Sequence, residues 1–240
     1  MYLETYSLDV AQILLTHWHG DHTGGVRDLI AQYPELASKV YKNQPGREQL
    51  PIEDGQIFHV EGATIRAVFS PGHAVDHMCF VLLEEQALFT GDNILGHGFT
   101  VIEDLSTYLD SLRYMGDQQC HVGYPGHGVK IDNLPSRIKL YIQREELRVA
   151  QVYTILVERT QYGETHLQNR PSFTSRELVA FLYGEVSDTL FDMALEPCMS
   201  RCLWKLAEEG RVAFKLIGTS RRWYARVRAQ AETLQKGGDF

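Results

Sequence analysis

Short apolar runs, separated by turns rich in glycine, proline or charged residues, alternate along the first half of the chain. Runs of this length predict β-strands, and the polar turns between them predict hairpins or connecting loops. Two hairpins are indicated, one turning at Glu61-Gly62 and one at Glu84-Glu85. The predicted strands are Ile13–Leu15, Val40–Tyr41, Gln56–Val60, Ala63–Phe69, Met78–Leu83 and Ala87–Thr90, with Asn43–Asp54 as a loop.

Longer segments carry apolar residues at helical spacing. Val26, Leu29 and Ile30 share one face of a helix predicted for Gly25–Ser38, which Pro34 interrupts. Asp104–Met115 and Pro135–Gln161 are also predicted to be helical.

The pattern changes after Gln161, where Tyr162–Pro171 is polar and predicts a domain boundary. We therefore expect two domains, 1–161 and 162–240. Thr174-Ser175-Arg176-Glu177 has the spacing of a capping box and predicts a helix that runs through Leu182. The remaining elements predicted are a helical stretch Ser187–Glu209, interrupted at Pro197, and a hairpin of Arg211–Ile217 with Trp223–Val227. Helices followed by a hairpin outline a small winged-helix-like region.

Composition and charge describe a soluble globular chain. The 240 residues carry a net charge of −8, and the acidic excess lies before the C-terminal region. The segment 211–236 contains seven basic residues and one acidic residue, Glu232. No run approaches the roughly 18 apolar residues of a membrane span, and the start shows no secretory signal. The four cysteines form no CxxC pair, so we expect a reducing, cytoplasmic location.

The densest chemistry lies in Thr16–Gly25, directly after the first predicted strand. His17, His19, Asp21 and His22 place four potential metal ligands within six residues. Imidazole suits zinc, and a carboxylate can complete a second site. Because four ligands so close together cannot converge on one tetrahedral ion without strain, the pattern predicts two adjacent ions. His17 and His19 would bind one ion, and Asp21 and His22 the other.

Three further donors follow predicted strands or a turn. His73 comes after Ala63–Phe69, Asp92 after Ala87–Thr90, and His127 lies in a Gly/Pro turn. Turns at strand ends are where such scaffolds present functional side chains.

HxHxDH followed by a lone His, a lone Asp and a last His resembles the metallo-β-lactamase superfamily. Pro71–Phe80 and Phe89–Gly98 resemble its LACTB-type branch, and within it the fungal atrochrysone carboxyl ACP thioesterases of polyketide pathways. The similarity runs from about Ala11 to about Trp204. The resemblance implies an α/β fold, the αββα sandwich. It also implies His17, His19 and His73 on one zinc ion, Asp21, His22 and His127 on a second, Asp92 bridging, and Asp21 as the catalytic acid/base.

The function implied by this resemblance is a zinc-dependent thioesterase. It would release a polyketide acyl chain from an acyl carrier protein by attack of a metal-bound hydroxide. Little acid catalysis is needed, because the leaving thiol has a pKa of about 8.5. The partners would be the carrier protein and the thioester, without a membrane, and nucleic acid is disfavoured by the acidic metal domain.

Two alternatives stay open. One is a metal-dependent endoribonuclease of the LACTB type. The other is a truncated, inactive paralogue, because only sixteen residues precede His17 and the first strands of the expected sandwich have no counterpart. His77, His97 and Tyr124 lie beside the expected ligands. Each is either a supporting or groove-lining residue or an ordinary packed side chain.

Overall fold

The computed structural model describes residues 2–46, 48–161 and 171–226. The chain divides into two compact units, Met1–Glu145 and Glu146–Phe240. The division falls inside a long helix, whereas the sequence places a boundary after Gln161. That boundary stays a prediction, and residues 162–170 lie outside the described residues.

The first unit alternates short strands and helices, and the elements that the apolar pattern predicts occur in the predicted order. Its strands are β1 (Ile13–Leu14), β2 (Val40–Lys42), β3 (Leu50–Pro51), β4 (Ile57–Val60), β5 (Ala63–Phe69), β6 (Met78–Leu82), β7 (Ala87–Gly91) and β8 (Val122–Pro125). Its helices are α1 (Tyr2–Tyr6), α2 (Gly20–Thr23), α3 (Gly25–Gln32), a 3₁₀ turn at Pro34–Ser38, α4 (Leu105–Asp117) and the start of α5 (Leu134–Gln161).

The larger sheet has five strands in the order β4-β5-β6-β7-β8. Neighbours are antiparallel up to β7, and β8 joins β7 in parallel. The central strand β6 is buried on both faces from Met78 to Val81, which explains its unbroken apolar run. Because β5 and β7 are both antiparallel to β6, the strands β5, β7 and β8 point in the same direction.

The smaller sheet pairs β1, β2 and β3 in parallel. Its third strand corrects our prediction, since Asn43–Asp54 was expected to be loop throughout. Leu50 and Pro51 pair with Tyr41 and Lys42, and a proline is tolerated here because β3 lies at the edge of the sheet.

Side chains from both sheets meet in an apolar cluster. Tyr41 of the smaller sheet packs edge-on against Phe58 of the larger, with ring centroids 5.1 Å apart. Leu14 packs against the same cluster. The buried members of the cluster are Ile52, Phe58, Ala67, Met78 and Phe80.

The helix α4 begins where the sequence predicts. The Asp104 side chain caps it by accepting a hydrogen bond from the Thr107 amide at 2.7 Å. Its buried residues are Leu105, Tyr108, Leu109, Ser111, Leu112 and Met115.

The second unit contains α6 (Ser175–Tyr183), α7 (Asp188–Leu190), a π-helical turn at Phe191–Leu195, α8 (Glu196–Glu208) and the hairpin β9 (Val212–Ile217) with β10 (Ser220–Ala225). The predicted capping box is present, with Thr174 and Glu177 each bonded to the other's backbone amide. Pro197 lies in the first turn of α8, directly after this π-helical turn. A proline inside a regular helix would clash with the carbonyl of the preceding turn, and the π-helical turn before it interrupts the regular helix.

Helices and hairpin follow in the predicted order, and the winged-helix assignment itself stays a prediction. Val227, Arg228, Glu232 and Lys236 lie outside the described residues. Within the described ranges, no helix combines the length and apolar character that crossing a membrane requires.

Candidate metal centre

The predicted ligands reach one place because of where their strands end. Asp92 directly follows β7, and His73 and His127 follow β5 and β8 within a few residues. These three strands point the same way, so their ends meet at one edge of the sheet. His17 follows β1, and α2 carries Asp21 and His22.

His17, His19 and His73 form a group of three imidazoles. His19 Nδ1 lies 2.9 Å from His17 Nε2 and 3.1 Å from His73 Nε2. The two Nε2 atoms lie 3.3 Å apart. A tetrahedral zinc ion with bonds of 2.0–2.1 Å separates two nitrogen ligands by about 3.3–3.4 Å. One of the three separations has this value and the other two are shorter by up to about 0.5 Å, so the ring nitrogens are close to the spacing of ligands on one ion.

Asp21, His22 and His127 form a second group. Asp21 Oδ2 lies 3.0 Å from His127 Nε2 and 3.6 Å from His22 Nε2, and the two Nε2 atoms are 3.2 Å apart. This group is more accessible than the first. The Asp21 and His127 side chains are 58% and 42% exposed, whereas His17 and His73 are buried.

The carboxylate of Asp92 lies between the two groups. Its Oδ2 atom is 3.8 Å from His73 Nε2 and 3.5 Å from His127 Nε2, and its Oδ1 atom is 3.4 Å from His22 Nε2. Oδ1 is buried and receives no hydrogen bond from any described residue. A buried carboxylate oxygen without a donor is costly unless a cation neutralises it, so this atom also fits a metal ligand.

Glycines make the close approach to Asp92 possible. A side chain on Gly126 would overlap Asp92 Oδ1 and would lie 2.7 Å from His22 Cε1. Gly91 has a φ of +50°, and a Cβ there would lie 2.5 Å from His77 Nε2. Both positions therefore require glycine for the site as it stands.

Hydrogen bonds orient the imidazoles. His73 Nδ1 lies 2.8 Å from the Val101 carbonyl. Since a carbonyl only accepts, Nδ1 carries the proton and Nε2 keeps its lone pair for a metal. Thr16 Oγ1 lies 3.0 Å from His17 Nδ1 and 3.5 Å from His22 Nδ1, so one hydroxyl supports both groups.

The protonation states favour metal binding at neutral pH. Burial, together with the neighbouring imidazoles, lowers the pKa of His17 from 6.5 to about 3. Burial also lowers the pKa of His73. A hydrogen bond from its own backbone amide, with the nearby His22 and His127, lowers the pKa of Asp21. These imidazoles are neutral and this carboxylate is ionised, as ligands must be.

His77, Tyr124 and His97, which are close to the candidate ligands in sequence, have different surroundings. His77 is completely buried and accepts a hydrogen bond from the Asp92 amide. Tyr124 donates to Glu85 Oε2 at 3.1 Å, in the turn between β6 and β7, so its hydroxyl points to the hairpin turn. A Cβ on Gly128 would lie 2.8 Å from the ring of His97.

Sequence reasoning missed three contributors. Thr16 is adjacent to His17 in the sequence, and this position is a signal from which a supporting role could be predicted. Lys42 and Asp76 form a buried ion pair, and Asp76 lies in the turn between His73 and His77. Only the fold brings Lys42 there, because 34 residues separate it from Asp76.

Comparison with known proteins agrees with this geometry. Residues 7–127 match the model of the metallo-beta-lactamase superfamily. The chain is 54% identical over 226 residues to lactamase-like protein adaB of Aspergillus niger, covering 93% of this chain and 71% of that protein. It is 52% identical over 217 residues to an atrochrysone carboxyl ACP thioesterase of Aspergillus chevalieri, covering 90% and 69%.

A solved structure agrees in fold. A beta-lactamase domain protein from Burkholderia ambifaria superposes with a TM-score of 0.74 at 17% identity, covering 92% of this chain and 75% of that chain. The expected sandwich fold is therefore confirmed, while the LACTB-type branch stays a prediction.

Proposed function

The chain belongs to the metallo-β-lactamase superfamily, and from this premise we propose that it is a dinuclear zinc hydrolase. Its substrate would be a polyketide acyl chain held as a thioester on an acyl carrier protein, and its products the free acid and the carrier thiol. The observation that carries the proposal is the convergence of seven candidate ligand side chains into three overlapping groups. Two are the groups described above, and the third joins Asp92 to His17 and His22.

The donor set supports zinc and a count of two. His17, His19 and His73 offer the three nitrogens of one site, and Asp21, His22 and His127 offer a mixed nitrogen and oxygen set for the other. Imidazole with a carboxylate is typical of catalytic zinc. Asp92, with one oxygen near His22 and the other near His73 and His127, would contact both ions.

When bound, such ions supply an activated water at neutral pH and polarise the carbonyl that it attacks. The Asp21 carboxylate is ionised and exposed, so it can accept a proton from the attacking water and return it to the departing group. A thiolate leaves with little help, because its thiol pKa is about 8.5. One carboxylate among the proposed metal ligands therefore suffices for thioester cleavage.

Two observations support a thioester with a large apolar acyl group. The first is the relative from Aspergillus chevalieri, which is named as an atrochrysone carboxyl ACP thioesterase. The second is a set of exposed apolar side chains in the segments that carry the ligands. They are Trp18 at 55%, Val75 at 56%, Val101 at 70% and Val129 at 71% exposure. Apolar side chains exposed in the segments next to a site can contribute to binding an apolar ligand there. The proposal includes a cytoplasmic location, where carrier protein and enzyme would meet.

The hairpin of the second unit favours a second candidate, an endoribonuclease. Its strands and flanks carry five basic residues and no acidic one within 211–226, namely Arg211, Lys215, Arg221, Arg222 and Arg226. Two of these arginines are already paired, because Arg222 contacts Glu177 at 3.0 Å and Arg211 contacts Glu209 at 3.2 Å. The acidic excess before this region opposes an RNA ligand. The Arg221 guanidinium lies over the Trp204 ring at 5.3 Å. If the chain cleaves RNA through this hairpin, Arg221→Glu would abolish RNA cleavage and leave thioester cleavage intact.

The proposal is tested by metal content and thioester turnover on the same purified chain. We expect two zinc ions per chain and hydrolysis of an aryl or acyl thioester. His17→Ala should lose both the buried ion and turnover. His59→Ala, which changes an exposed histidine on β4, is the matched control and should behave as the unchanged chain. A folded chain without metal or turnover would contradict the proposal.

A further inference from the structure

His77 is a buried histidine that contacts both the metal-ligand loops and the strands behind them. Its ring lies 5.1 Å from the His17 ring and 5.9 Å from the His73 ring, measured between centroids. Its Nε2 atom accepts a hydrogen bond from the backbone amide of Asp92 at 3.0 Å. One side chain therefore touches two ligands of the first group and holds the main chain of the carboxylate between the groups.

The hydrogen bonds around His77 allow only one tautomer. An amide N–H can only donate, so Nε2 carries no proton and Nδ1 carries it. Nδ1 lies 3.1 Å from Ser70 Oγ and donates to it. The Ser70 hydroxyl then donates to Cys79 Sγ at 3.1 Å, and the Cys79 thiol donates to the Thr90 carbonyl at 3.4 Å.

This chain of hydrogen bonds links three neighbouring strands behind the site. Ser70 follows β5, Cys79 lies in β6 and Thr90 lies in β7. Ser70 is also bound through its backbone, because Asn93 Nδ2 donates to the Ser70 carbonyl at 2.6 Å. The segment Asp92-Asn93 is thus linked to Ser70 directly by the Asn93 side chain, and through the His77 ring by the Asp92 amide. Ser70, His77, Cys79 and Thr90 are buried, so water does not compete for these bonds.

We infer that His77 is a positioning residue, which uses its Nδ1–H tautomer to place the Asp92 carboxylate where both metal ions can bind it. This inference rests on the metal centre of the proposed function. Outer hydrogen-bond partners of metal ligands commonly influence affinity by about 10–100-fold. Here the hydrogen-bond partner is His77, and it binds the backbone amide of Asp92 rather than the carboxylate. The positive φ of Gly91 allows this part of the backbone to lie against the His77 ring.

The test compares His77→Phe, His77→Gln and the control His59→Gln. Phenylalanine fills the space without an acceptor, whereas glutamine can accept from the Asp92 amide and donate to Ser70. We expect His77→Phe to weaken zinc affinity by about 10–100-fold, measured by competition with a chromophoric chelator, and His77→Gln to restore it to within about threefold. The unfolding midpoint of each metal-free variant separates this effect from a loss of stability. If both variants lose only stability and bind zinc as the unchanged chain does, the inference is wrong.

A second measurement needs neither metal nor turnover. Nitrogen chemical shifts of the imidazoles in the metal-free chain report the tautomer of each histidine. A protonated Nδ1 on His77 with protected exchange of the Asp92 amide supports the inference, and a protonated Nε2 overturns it. Should His77→Phe fail to fold, Ser70→Ala takes its place, and unchanged zinc affinity in that variant also overturns it. A chain that binds zinc without cleaving thioesters contradicts the proposed reaction, and the His77 comparison is still decided.

Discussion

The backbone of Gly126 packs directly against the carboxylate of Asp92, and a methyl group on Gly126 would occupy the space of Asp92 Oδ1. The turn that carries His127 is therefore built against the residue that lies between the two ligand groups. Gly126 does not have a positive φ, so alanine is compatible with its backbone and any effect of the substitution comes from the site.

Gly126→Ala should displace Asp92 or His22 and reduce the metal content, most strongly at the second group. Overpacking of this kind costs about 1–3 kcal/mol, which we expect mainly as lost metal affinity. Equilibrium dialysis with zinc measures it. Gly25→Ala is the control, because a Cβ there meets nothing within 4 Å. Equal zinc binding by both variants would show that Asp92 tolerates the displacement.

Asp21→Asn should lower kcat for a thioester by about 100-fold or more, because an amide cannot accept the proton and is a weaker ligand than a carboxylate for the second ion. Asp21 does not belong to the first group, whose three side chains are imidazoles. The ion at that group should therefore stay bound. Steady-state kinetics with metal analysis on the same sample measures both. Asp28→Asn, on the exposed face of α3, should change neither. Full activity in Asp21→Asn would exclude Asp21 as the acid/base.

The two metal ions of the proposed centre should leave the protein one after the other when a chelator is titrated in. The second group contains the exposed Asp21 and His127, whereas His17 and His73 of the first are buried. We therefore expect the ion at the second group to be lost first, with turnover falling in that phase. Cobalt substitution with absorption spectroscopy resolves the two phases. Simultaneous loss of both ions would indicate that the Asp92 bridge couples them too strongly to separate.

The metal-free chain should lose stability as the pH falls below about 6.5. Burial lowers the pKa values of His17, His73 and His77 in the folded state, while in the unfolded chain they titrate at about 6.5. The unfolded chain then binds more protons, so the free energy of unfolding decreases on acidification. The decrease should be roughly 1 kcal/mol per pH unit for each histidine that stays neutral, continuing toward about 3 for His17.

Urea unfolding of the metal-free chain at several pH values measures this dependence. His77→Gln removes one of the three histidines and should reduce the slope between pH 6 and pH 4, whereas His59→Gln should not. A free energy of unfolding that stays constant between pH 6 and pH 4 would contradict this prediction.

The buried ion pair of Lys42 and Asp76 should matter for stability. Lys42 Nζ also donates to the carbonyls of Asn43 at 2.9 Å and Gln44 at 3.2 Å. Lys42→Met leaves a buried carboxylate without its cation and should cost about 3–5 kcal/mol. The double variant Lys42→Met with Asp76→Leu should recover much of that loss, because no charge stays buried. Chemical denaturation measures both, and additive losses in the double variant would contradict this account.

The local elements, and the chemistry available at their ends, follow from the amino-acid sequence alone. Apolar runs predicted the strands β1, β2 and β4 to β7 within one or two residues, because burial of alternating or continuous apolar side chains requires that spacing. The closely spaced HxHxDH donors and the three later ones were predicted as ligands from residue type and from their position after strands. The edge strand β3 was missed, because two residues that include a proline carry no periodic signal.

Which atoms face one another depends on the folded chain. The common direction of β5, β7 and β8 brings His73, Asp92 and His127 to one edge, although up to 54 residues separate them along the chain. The tautomer of His77, the support from Thr16 and the approach of Gly126 to Asp92 depend on contacts of a few ångströms between distant segments. No local pattern encodes such contacts, because hydrogen bonds and close packing are set by the path of the whole backbone.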